Sequence, residues 1–275
     1  MKNKRKPSVF FIGAGPGDPE LITVKGRRFL KEADVVVYAG SLIQERALWY
    51  AKKRAKIYNS ASMTLDEIMK IMVEAVKAGK KVVRLHTGDP TLYSALREQA
   101  DILEEEGIHY EIVPGVSSAF ASAAALKKEL TMPEVTQTVI FTRLEGRTPV
   151  PEKERLSELA KHNTTICIFL SAGMIDRVVK ELKQGYSDNT PVAVVYRATW
   201  EDEKIVEGTL KDIARKVKKA KIKRQAMIII GKTLGQWTAT AGSKQRARVK
   251  GQKSKLYDKD FKHGYRRKSK MPGGM

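Results

Sequence analysis

An apolar run leads into a glycine-rich loop at Val9-Phe-Phe-Ile-Gly-Ala-Gly-Pro-Gly-Asp-Pro-Glu-Leu-Ile-Thr23. The run has the length of a buried strand, and the loop has part of the Gly-x-Gly-x-x-Gly spacing found in dinucleotide-binding proteins. Asp18, however, stands where the third glycine belongs. A carboxylate there would repel a diphosphate, and Pro16 and Pro19 stiffen the loop. The stretch therefore predicts a strand-end loop that faces a ligand other than NAD or FAD, with a purely structural strand-to-helix turn as the alternative.

Apolar runs of strand length alternate with segments of helical period along the first half of the chain. Strands are expected at residues 9–12, 35–38, 82–86 and 110–113, and helices at 24–33, 42–52, 64–79 and 92–106. Thr64-Leu-Asp-Glu67 has the spacing of a capping box, and Gly79 provides a helix stop. Such successive β-α units predict a parallel sheet with helices on both faces.

The pattern restarts after Thr131-Met-Pro-Glu134. Strands are expected at 138–142, 165–170, 192–196, 204–207 and 226–230, and helices at 152–162, 174–184 and 210–220. The predicted fold class is therefore α/β, with two α/β domains in series at residues 8–128 and 129–236 and the ligand site in the cleft between them. A basic tail, residues 1–7, precedes these domains, and a basic extension, residues 237–275, follows them.

Positive charge is concentrated at the two ends of the 275-residue chain, whose net charge is +21. Residues 1–6 carry four basic side chains, and residues 237–275 carry twelve basic and two acidic ones, which leaves a net charge of +7 for the rest. Basic tails are typical of non-specific attraction to nucleic acid, or of well-solvated termini. A moderately positive body instead favours a small polyanionic substrate.

Several classes of protein are excluded by composition. No apolar run approaches the ~18 residues that a membrane span needs, and the basic start leads into a strand rather than a secretory signal, which indicates the cytoplasm. Cys167 is the only cysteine and lies in an apolar run, which predicts a buried core thiol. The four histidines are scattered, so no metal site is expected.

Two further loops follow predicted strands, at His86-Thr-Gly-Asp-Pro90 and Val113-Pro-Gly-Val-Ser-Ser118. Ligands of open α/β sheets bind where strands end, and glycine lets the backbone approach them closely. Neither loop, nor the one after residue 12, contains the Gly-Lys-Ser/Thr of a phosphate-binding loop. A cofactor with a ribose, an adenine and a sulfonium but no phosphate suits such a site.

The motifs also resemble a known family. Ile12–Gly26, Ala33–Tyr38, Gly88–Pro90 and Val113–Val116 are similar in order and spacing to the tetrapyrrole methylases, which depend on S-adenosylmethionine, and the resemblance spans residues 8–231. Further runs resemble one branch of that family, which acts on an intermediate of cobalamin synthesis: Tyr38–Ile43, Leu144–Pro151, Val195–Lys204 and Ser254–Arg266. The last of these lies in the basic extension and weakens the nucleic-acid interpretation.

The resemblance implies two α/β lobes, S-adenosyl-L-methionine held in their cleft and released as S-adenosyl-L-homocysteine, a polycarboxylated tetrapyrrole substrate and a homodimer. It places these residues along the cofactor: Pro16, Thr87, Gly88, Asp89, Leu92, Ser117 and Ser118, with Ser171, Ala172, Ala198, Ala226 and Met227 from the second domain. Ser171 departs from the methionine of uroporphyrinogen-type relatives. Nucleic acid and membrane are not expected as partners.

Substrate and catalytic residues are expected in two of these segments. Arg143, Glu145 and Arg147 are candidates for binding substrate carboxylates, because arginine grips them in bidentate fashion, although a solvated loop with a local Arg–Glu pair is the alternative. Asp18 is the candidate catalytic residue: it would meet a pyrrole N–H or stabilise positive charge on the methylated ring. Its alternative role is a turn-forming residue before Pro19.

Three competing functions stay open from the sequence. One is methylation by the same fold of another tetrapyrrole, of diphthine or of ribosomal RNA. Another is nucleic-acid binding driven by the basic tails, which would weaken steeply with salt. The third is a dinucleotide-dependent enzyme, which the missing glycine disfavours.

Overall fold

A computed structural model describes residues 7–146 and 148–235 of the chain. The predicted basic tail up to residue 6, Arg147 and the extension at 237–275 lie outside the described residues. Within residues 7–146 and 148–235, no helix combines the length and apolarity needed to cross a membrane.

The first sheet is parallel throughout, as the β-α alternation predicts. Its five strands lie in the order β3-β2-β4-β1-β5. They are β1 Val9–Gly13, β2 Val35–Tyr38, β3 Lys56–Asn59, β4 Val82–His86 and β5 Tyr110–Val113, and the helices are α1 Val24–Glu32, α2 Leu65–Lys77, α3 Leu96–Glu105 and α4 Ser118–Ala125. Strand β1 lies between β4 and β5, so its carboxyl end is flanked by the loops that follow both of them.

Alternate side chains of β1 enter two different cores. Phe10 and Ile12 pack with Leu30 of α1 on one face. Phe11 packs on the other face with Met72 of α2 and with α3. The capping box at Thr64 and Glu67 forms both of its hydrogen bonds, and Met69 and Met72 are core residues, as the sequence predicts.

Three local predictions are wrong, and one strand was missed. The single helix expected at 152–162 is a 3-10 helix at Glu152–Glu154 followed by a short α-helix at Leu156–Ala160. The helix expected at 42–52 is a 3-10 helix at Glu45–Tyr50. The helix expected from residue 92 begins only at Leu96, because Tyr93 and Ala95 adopt left-handed backbone conformations, φ 56° and 51°, that no α-helix accommodates. Strand β3 was not predicted, because its side chains are largely exposed and carry no buried-strand pattern.

The second sheet has the order β6-β7-β10-β8-β9 and is mixed. Strands β6 and β7 are parallel, whereas β10 runs antiparallel to β7. Its strands are β6 Val139–Arg143, β7 Thr165–Phe169, β8 Pro191–Tyr196, β9 Lys204–Thr209 and β10 Ala226–Ile230, and its helices are α5 Leu156–Ala160, α6 Ile175–Leu182 and α7 Ile213–Lys219. Cys167 is a buried core thiol of β7, as predicted, and burial raises its pKa to about 12.

Internal contacts divide the chain into two compact units. Unit 1 comprises Val194–Val206 and Ile222–Met227 together with the described chain up to Lys127. Unit 2 comprises Lys128–Ala193, Glu207–Lys221 and the described chain from Ile228 onward. The boundary predicted between residues 128 and 129 stays a prediction, since segments from beyond it are grouped with unit 1.

Candidate functional site

The loops after β1 and β4 cross each other in unit 1. The β1 loop, residues 14–23, and the β4 loop, residues 87–95, form an isolated antiparallel bridge between Gly15 and Gly88. Gly88 N donates to Gly15 O at 2.8 Å, and Ala14 N donates to His86 O at 2.7 Å. The backbones of two strand-end loops are therefore fixed to each other where the parallel strands end.

Glycine is sterically required at this crossing. A methyl group on Gly13 would lie 2.6 Å from Gly115 Cα, and one on Gly115 would lie 2.7 Å from Gly13 Cα and closer still to Gly88 O. Gly88 itself has φ 59°, a left-handed conformation that favours glycine. The backbones of the three loops therefore pack directly on one another, with no room for a side chain between them.

Asp89 ties the β4 loop to the β5 loop, residues 114–117. Its Oδ2 accepts from Gly115 N at 2.9 Å, and its Oδ1 accepts from Thr91 N at 2.8 Å and from Thr91 Oγ1. Burial alone would raise the pKa of Asp89, but these hydrogen bonds outweigh it and hold the pKa below its usual value. The carboxylate is therefore ionised at neutral pH, and it organises the loops whatever else it binds.

The predicted cofactor positions of unit 1 share these loops and their surroundings. Gly88 and Ser117 are buried, Thr87, Leu92 and Ser118 are half-buried, and Ser117 caps α4 through Ala119 N. Pro16 is buried within the β1 loop. Ala198, Ala226 and Met227, which the resemblance assigns to the second domain, belong to segments of unit 1. Their roles in binding a cofactor stay predictions.

Asp18 is half-buried on the β1 loop and forms the turn that the alternative interpretation expects. Its Oδ1 accepts from Glu20 N at 2.8 Å and caps the 3-10 helix Pro19–Leu21. Its main-chain N donates to Thr199 Oγ1 at 2.9 Å. The turn uses Oδ1 of the carboxylate, and Oδ2 takes no part in it.

His86 is held in its neutral form by burial. Its imidazole is buried beside the guanidinium of Arg84, and burial, with a smaller effect of that charge, lowers the pKa of His86 to about 3. Its Nε2 has no hydrogen-bond partner among the described residues. Arg84 is held by Gln99 Oε1 at 2.9 Å and Ser60 Oγ at 3.0 Å. Both side chains belong to the buried face of β4 below the loops.

Ser171 and Ala172, the two predicted cofactor positions of unit 2, lie directly after β7. Ser171 is fully buried, its Oγ donating to Phe169 O at 2.6 Å and accepting from Leu144 N at 2.9 Å. This serine therefore joins the end of β7 to the segment that follows β6. Its small polar side chain, unlike a methionine, serves the protein's own backbone.

Removing the Ser171 hydroxyl is expected to destabilise the fold, because Leu144 N and Phe169 O lose their partner. Ser171→Ala should lower the free energy of unfolding by about 1–3 kcal/mol. Ser122→Ala is the matched control: Ser122 is equally buried, but its Oγ finds no hydrogen-bond partner within the described chain. That control should be neutral or stabilising in urea unfolding, and equal losses in both variants would contradict the assignment.

Two of the predicted substrate residues, Arg143 and Glu145, form hydrogen bonds or ion pairs that hold the segment after β6. Arg143 donates to Thr148 O at 3.1 Å and to Pro149 O at 2.9 Å. Glu145 pairs with Arg177 at 3.3 Å, and Arg177 also donates to Glu145 O at 2.9 Å. The alternative interpretation expected Glu145 to pair with an arginine of its own loop; the structure shows an Arg–Glu pair, but the arginine is Arg177. Arg147 lies outside the described residues, so the three predictions stay open.

Sequence reasoning missed three residues that organise these loops. Arg177 has Glu181 at helical i,i+4 spacing, which is typical of a solvated helix face, so its contact with Glu145 carried no signal. Thr199 and Trp200 stand in a run noted only for its resemblance, yet they contact the β1 loop. No group of three or more His, Cys, Asp or Glu side chains capable of holding a metal occurs in the part of the chain that the structure describes.

The fold and the loops define a class: an α/β protein with two five-stranded sheets, whose first sheet ends in loops joined through glycine backbone and the Asp89 carboxylate. The family model of the tetrapyrrole (corrin/porphyrin) methylases matches residues 8–214. The chain belongs to this family, and the resemblance seen in the motifs is confirmed.

Similarity extends over nearly the whole chain. A cobalt-precorrin-4 C(11)-methyltransferase of Methanocaldococcus jannaschii is 60% identical over 271 residues, covering 98% of this chain and 99% of that protein. An X-ray structure of a cobalt precorrin-4 methyltransferase, described as a cobalamin biosynthetic enzyme, superposes with a TM-score of 0.80 at 52% identity, covering 82% of this chain and 95% of the other. A uroporphyrin-III C-methyl transferase from Thermus thermophilus, complexed with S-adenyl homocysteine, has a TM-score of 0.69 at 31% identity, covering 82% and 92%.

Proposed function

We propose that this protein is an S-adenosylmethionine-dependent C-methyltransferase that methylates C-11 of cobalt-precorrin-4 or precorrin-4 in cobalamin synthesis. The observation that carries the proposal is the 60% identity to a cobalt-precorrin-4 C(11)-methyltransferase over 98% of this chain. Such similarity leaves no large region of the chain to serve a different reaction. The basic tails, by contrast, are the only feature that favours nucleic acid.

The donor set of unit 1 fits the proposed cofactor. The crossing of Gly13, Gly88 and Gly115 excludes side chains, and Thr87, Leu92 and Ser118 are half-buried on or directly after the loops that follow β4 and β5. Asp89 is ionised, and its carboxylate would repel a phosphate but could accept a hydrogen bond from a ribose hydroxyl. A 31% identical relative whose structure contains S-adenyl homocysteine supports the same cofactor class.

Methyl transfer from S-adenosylmethionine needs little acid or base catalysis. S-adenosylmethionine supplies a methyl group already activated on a sulfonium sulfur. The protein has to orient the acceptor carbon in line with that methyl group and exclude water. Pro16, Thr87, Gly88, Asp89 and Leu92 are proposed to hold the donor. Asp18 would offset positive charge that develops on the tetrapyrrole as its carbon is methylated.

Carboxylate recognition is proposed for the segment after β6. The acceptor carries several acetate and propionate groups, and arginine is suited to them by its paired donors. Arg143 and Arg177 hold this segment in one conformation through its carbonyl groups, and Arg147 belongs to the same segment. The proposal assigns substrate contact to this segment, with Glu145 keeping Arg177 in place.

A homodimer in the cytoplasm is proposed on the family resemblance. Sedimentation of the full chain should give twice the mass of the 30.8 kDa monomer. A monomer that still transfers methyl groups would remove the dimer from the proposal without affecting the reaction.

Incubation with isotopically labelled S-adenosylmethionine tests the reaction. The protein is given cobalt-precorrin-4 and metal-free precorrin-4 in parallel, and the new methyl group is located on the product by NMR. Label at C-11 of either substrate is the expected result, and the faster substrate identifies the cobalt or the metal-free route. Label at another ring position would indicate a different tetrapyrrole methylation.

Calorimetry separates the competing functions. S-adenosylhomocysteine should bind, whereas NAD should not, because Asp18 stands where a diphosphate would approach. Binding of NAD alone would overturn the proposal. Salt-sensitive binding to duplex DNA that disappears when residues 237–275 are deleted, without any methyl transfer, would favour the nucleic-acid function instead.

A further inference from the structure

A loop distant in sequence is fastened to the β1 loop inside unit 1. The β8 loop, residues 197–203, follows strand β8. Trp200 Nε1 donates to Pro16 O at 2.8 Å, and Thr199 Oγ1 accepts from Asp18 N at 2.9 Å. These two hydrogen bonds hold the peptide groups on both sides of Gly17.

Gly17 lacks a side chain because the indole occupies that place. A methyl group built on Gly17 would overlap the ring of Trp200 at its Cδ1 and Nε1 atoms. The guanidinium of Arg197 lies over the same ring, with its central carbon 4.7 Å from the ring centroid. Arg197 is in turn held by Asp202 at 2.7 Å. The indole therefore has little freedom to move away from the β1 loop.

The β8 loop, which carries Thr199 and Trp200, has a strained backbone at two residues. Thr199 has φ 70° and Arg197 has φ 48°, left-handed conformations that are rare for residues other than glycine and rarer still for a β-branched one. Thr199 N donates to Glu203 Oε2 at 2.7 Å, which holds the strained residue in place. Strain of this kind persists where surrounding contacts over-determine a local geometry, and it concentrates at functional sites.

We propose that Thr199 and Trp200 are positioning residues for methyl transfer, which fix Pro16 and Asp18 by holding the peptide groups on either side of Gly17. The inference rests on the proposed function. Neither residue has to touch a reactant: the Thr199 hydroxyl oxygen accepts from the main chain of the β1 loop, and the Trp200 indole N–H donates to it. Their contribution is to orientation, where a displacement of about 1 Å can cost a factor of about 100 in rate.

The contacts bear on turnover more than on stability. Pro16, Gly17 and Asp18 lie on a loop, and the core of unit 1 is formed by side chains of the sheet and helices. Losing one hydrogen bond between loops should leave that core intact. A residue that only stabilises the fold would instead lower activity in proportion to the fraction of protein unfolded.

Conservative pairs of variants test the two hydrogen bonds. Trp200→Phe keeps a ring beside Gly17 but removes the donor to Pro16 O, and Thr199→Val removes the acceptor for Asp18 N, whereas Thr199→Ser retains it. Trp200→Phe and Thr199→Val should each lower kcat by about ten-fold or more, with the KM for the tetrapyrrole within about three-fold of the wild-type value. Thr199→Ser should restore most of the rate. Trp49→Phe, a change of an exposed indole in the 3-10 helix at Glu45–Tyr50, is the matched control and should have wild-type kinetics.

A steric test addresses the same contact independently. Gly17→Ala should lower kcat by about 100-fold when Trp200 is present, because the new methyl group and the ring cannot both keep their places. In a Trp200→Ala background, the same glycine change should cost less than about three-fold relative to Trp200→Ala alone. Thermal unfolding and S-adenosylhomocysteine binding are measured on every variant to separate folding from turnover.

The outcomes distinguish this inference from the proposed function. Wild-type protein that methylates its tetrapyrrole, combined with Trp200→Phe and Thr199→Val variants that keep wild-type kcat, would overturn the inference alone. Losses that match the unfolded fraction, or a Gly17→Ala penalty that persists without the indole, would also overturn it. Wild-type protein that binds no S-adenosylhomocysteine and transfers no methyl group would overturn the proposed function and this inference together.

Discussion

Replacing Gly115 with alanine is expected to disrupt the crossing of the strand-end loops. The new methyl group would lie 2.7 Å from Gly13 Cα and closer still to Gly88 O, so both of its neighbours are backbone. Backbone cannot rotate away as the end of a flexible side chain can, and the Gly15–Gly88 bridge holds both loops in register. The free energy of unfolding should fall by about 3 kcal/mol, the upper range for overpacking.

Cofactor binding should suffer more than stability does in Gly115→Ala. The backbone that must move is the surface proposed to face S-adenosylmethionine, so affinity for S-adenosylhomocysteine should fall by about 100-fold or more in calorimetry. Gly88→Ala provides a milder variant that is expected to fold, because its methyl group would meet no described atom closer than 3.7 Å and only its φ of 59° is strained. Its affinity should fall by about ten-fold.

Gly79→Ala is the matched control for this crossing. Gly79 also has a positive φ, 71°, but no described atom lies within 4 Å of an added methyl group, and it ends helix α2 away from the strand-end loops. The control should lose about 1–2 kcal/mol through backbone strain and keep wild-type affinity for S-adenosylhomocysteine. Wild-type affinity in both Gly115→Ala and Gly88→Ala would place the cofactor site elsewhere.

Replacing Asp18 with alanine should lower turnover by about 100-fold or more while S-adenosylhomocysteine affinity stays within about three-fold, because the carboxylate is proposed to act on the charge of the tetrapyrrole rather than on the cofactor. Single-turnover rates with the tetrapyrrole and calorimetry with S-adenosylhomocysteine measure the two effects separately. Unchanged turnover would remove Asp18 from the mechanism.

The structural role of Asp18 requires a second variant. Asp18→Asn keeps an oxygen that can accept from Glu20 N, as Asp18 Oδ1 does at 2.8 Å, and so preserves the turn while removing the charge. We expect Asp18→Asn to be nearly as slow as Asp18→Ala. If the asparagine variant is fully active and only the alanine variant is slow, then Asp18 serves the turn alone. Asp66→Asn, in the first turn of helix α2, is a control for loss of an exposed carboxylate.

Much of the fold could be predicted because it depends on local patterns. Strands β1 and β2 are continuous apolar runs, and a strand with both faces buried is identified by such a run. The two ends of helix α2 could be predicted because residues at each end mark them: the capping box at the start and Gly79 after the end. Strand β3 was not predicted because it is an edge strand with mostly exposed side chains. It forms by pairing with β2, and no pattern within its own residues indicates that pairing.

The loops were located correctly but their contacts were not foreseen. The fragments Gly13–Gly15, Gly88–Asp89 and Val113–Ser118 could be placed at strand ends because each follows an apolar run. The carboxylate of Asp89, expected beside a ligand, accepts from Gly115 N, and the guanidinium of Arg143, expected beside a substrate, donates to its own loop. Hydrogen-bond partners of polar side chains depend on which loops meet, and periodicity carries no information about that.

The sequence by itself determined the α/β class, because that class follows from hydrophobic runs and turn residues along the chain, and its motifs resembled the family that was then confirmed. Only the tertiary structure decided that Gly13, Gly88 and Gly115 meet with no room for a side chain, and that Trp200 lies on Gly17. The reason is physical: these contacts join residues up to 184 positions apart, so they exist only once packing has brought the strand ends and their loops together.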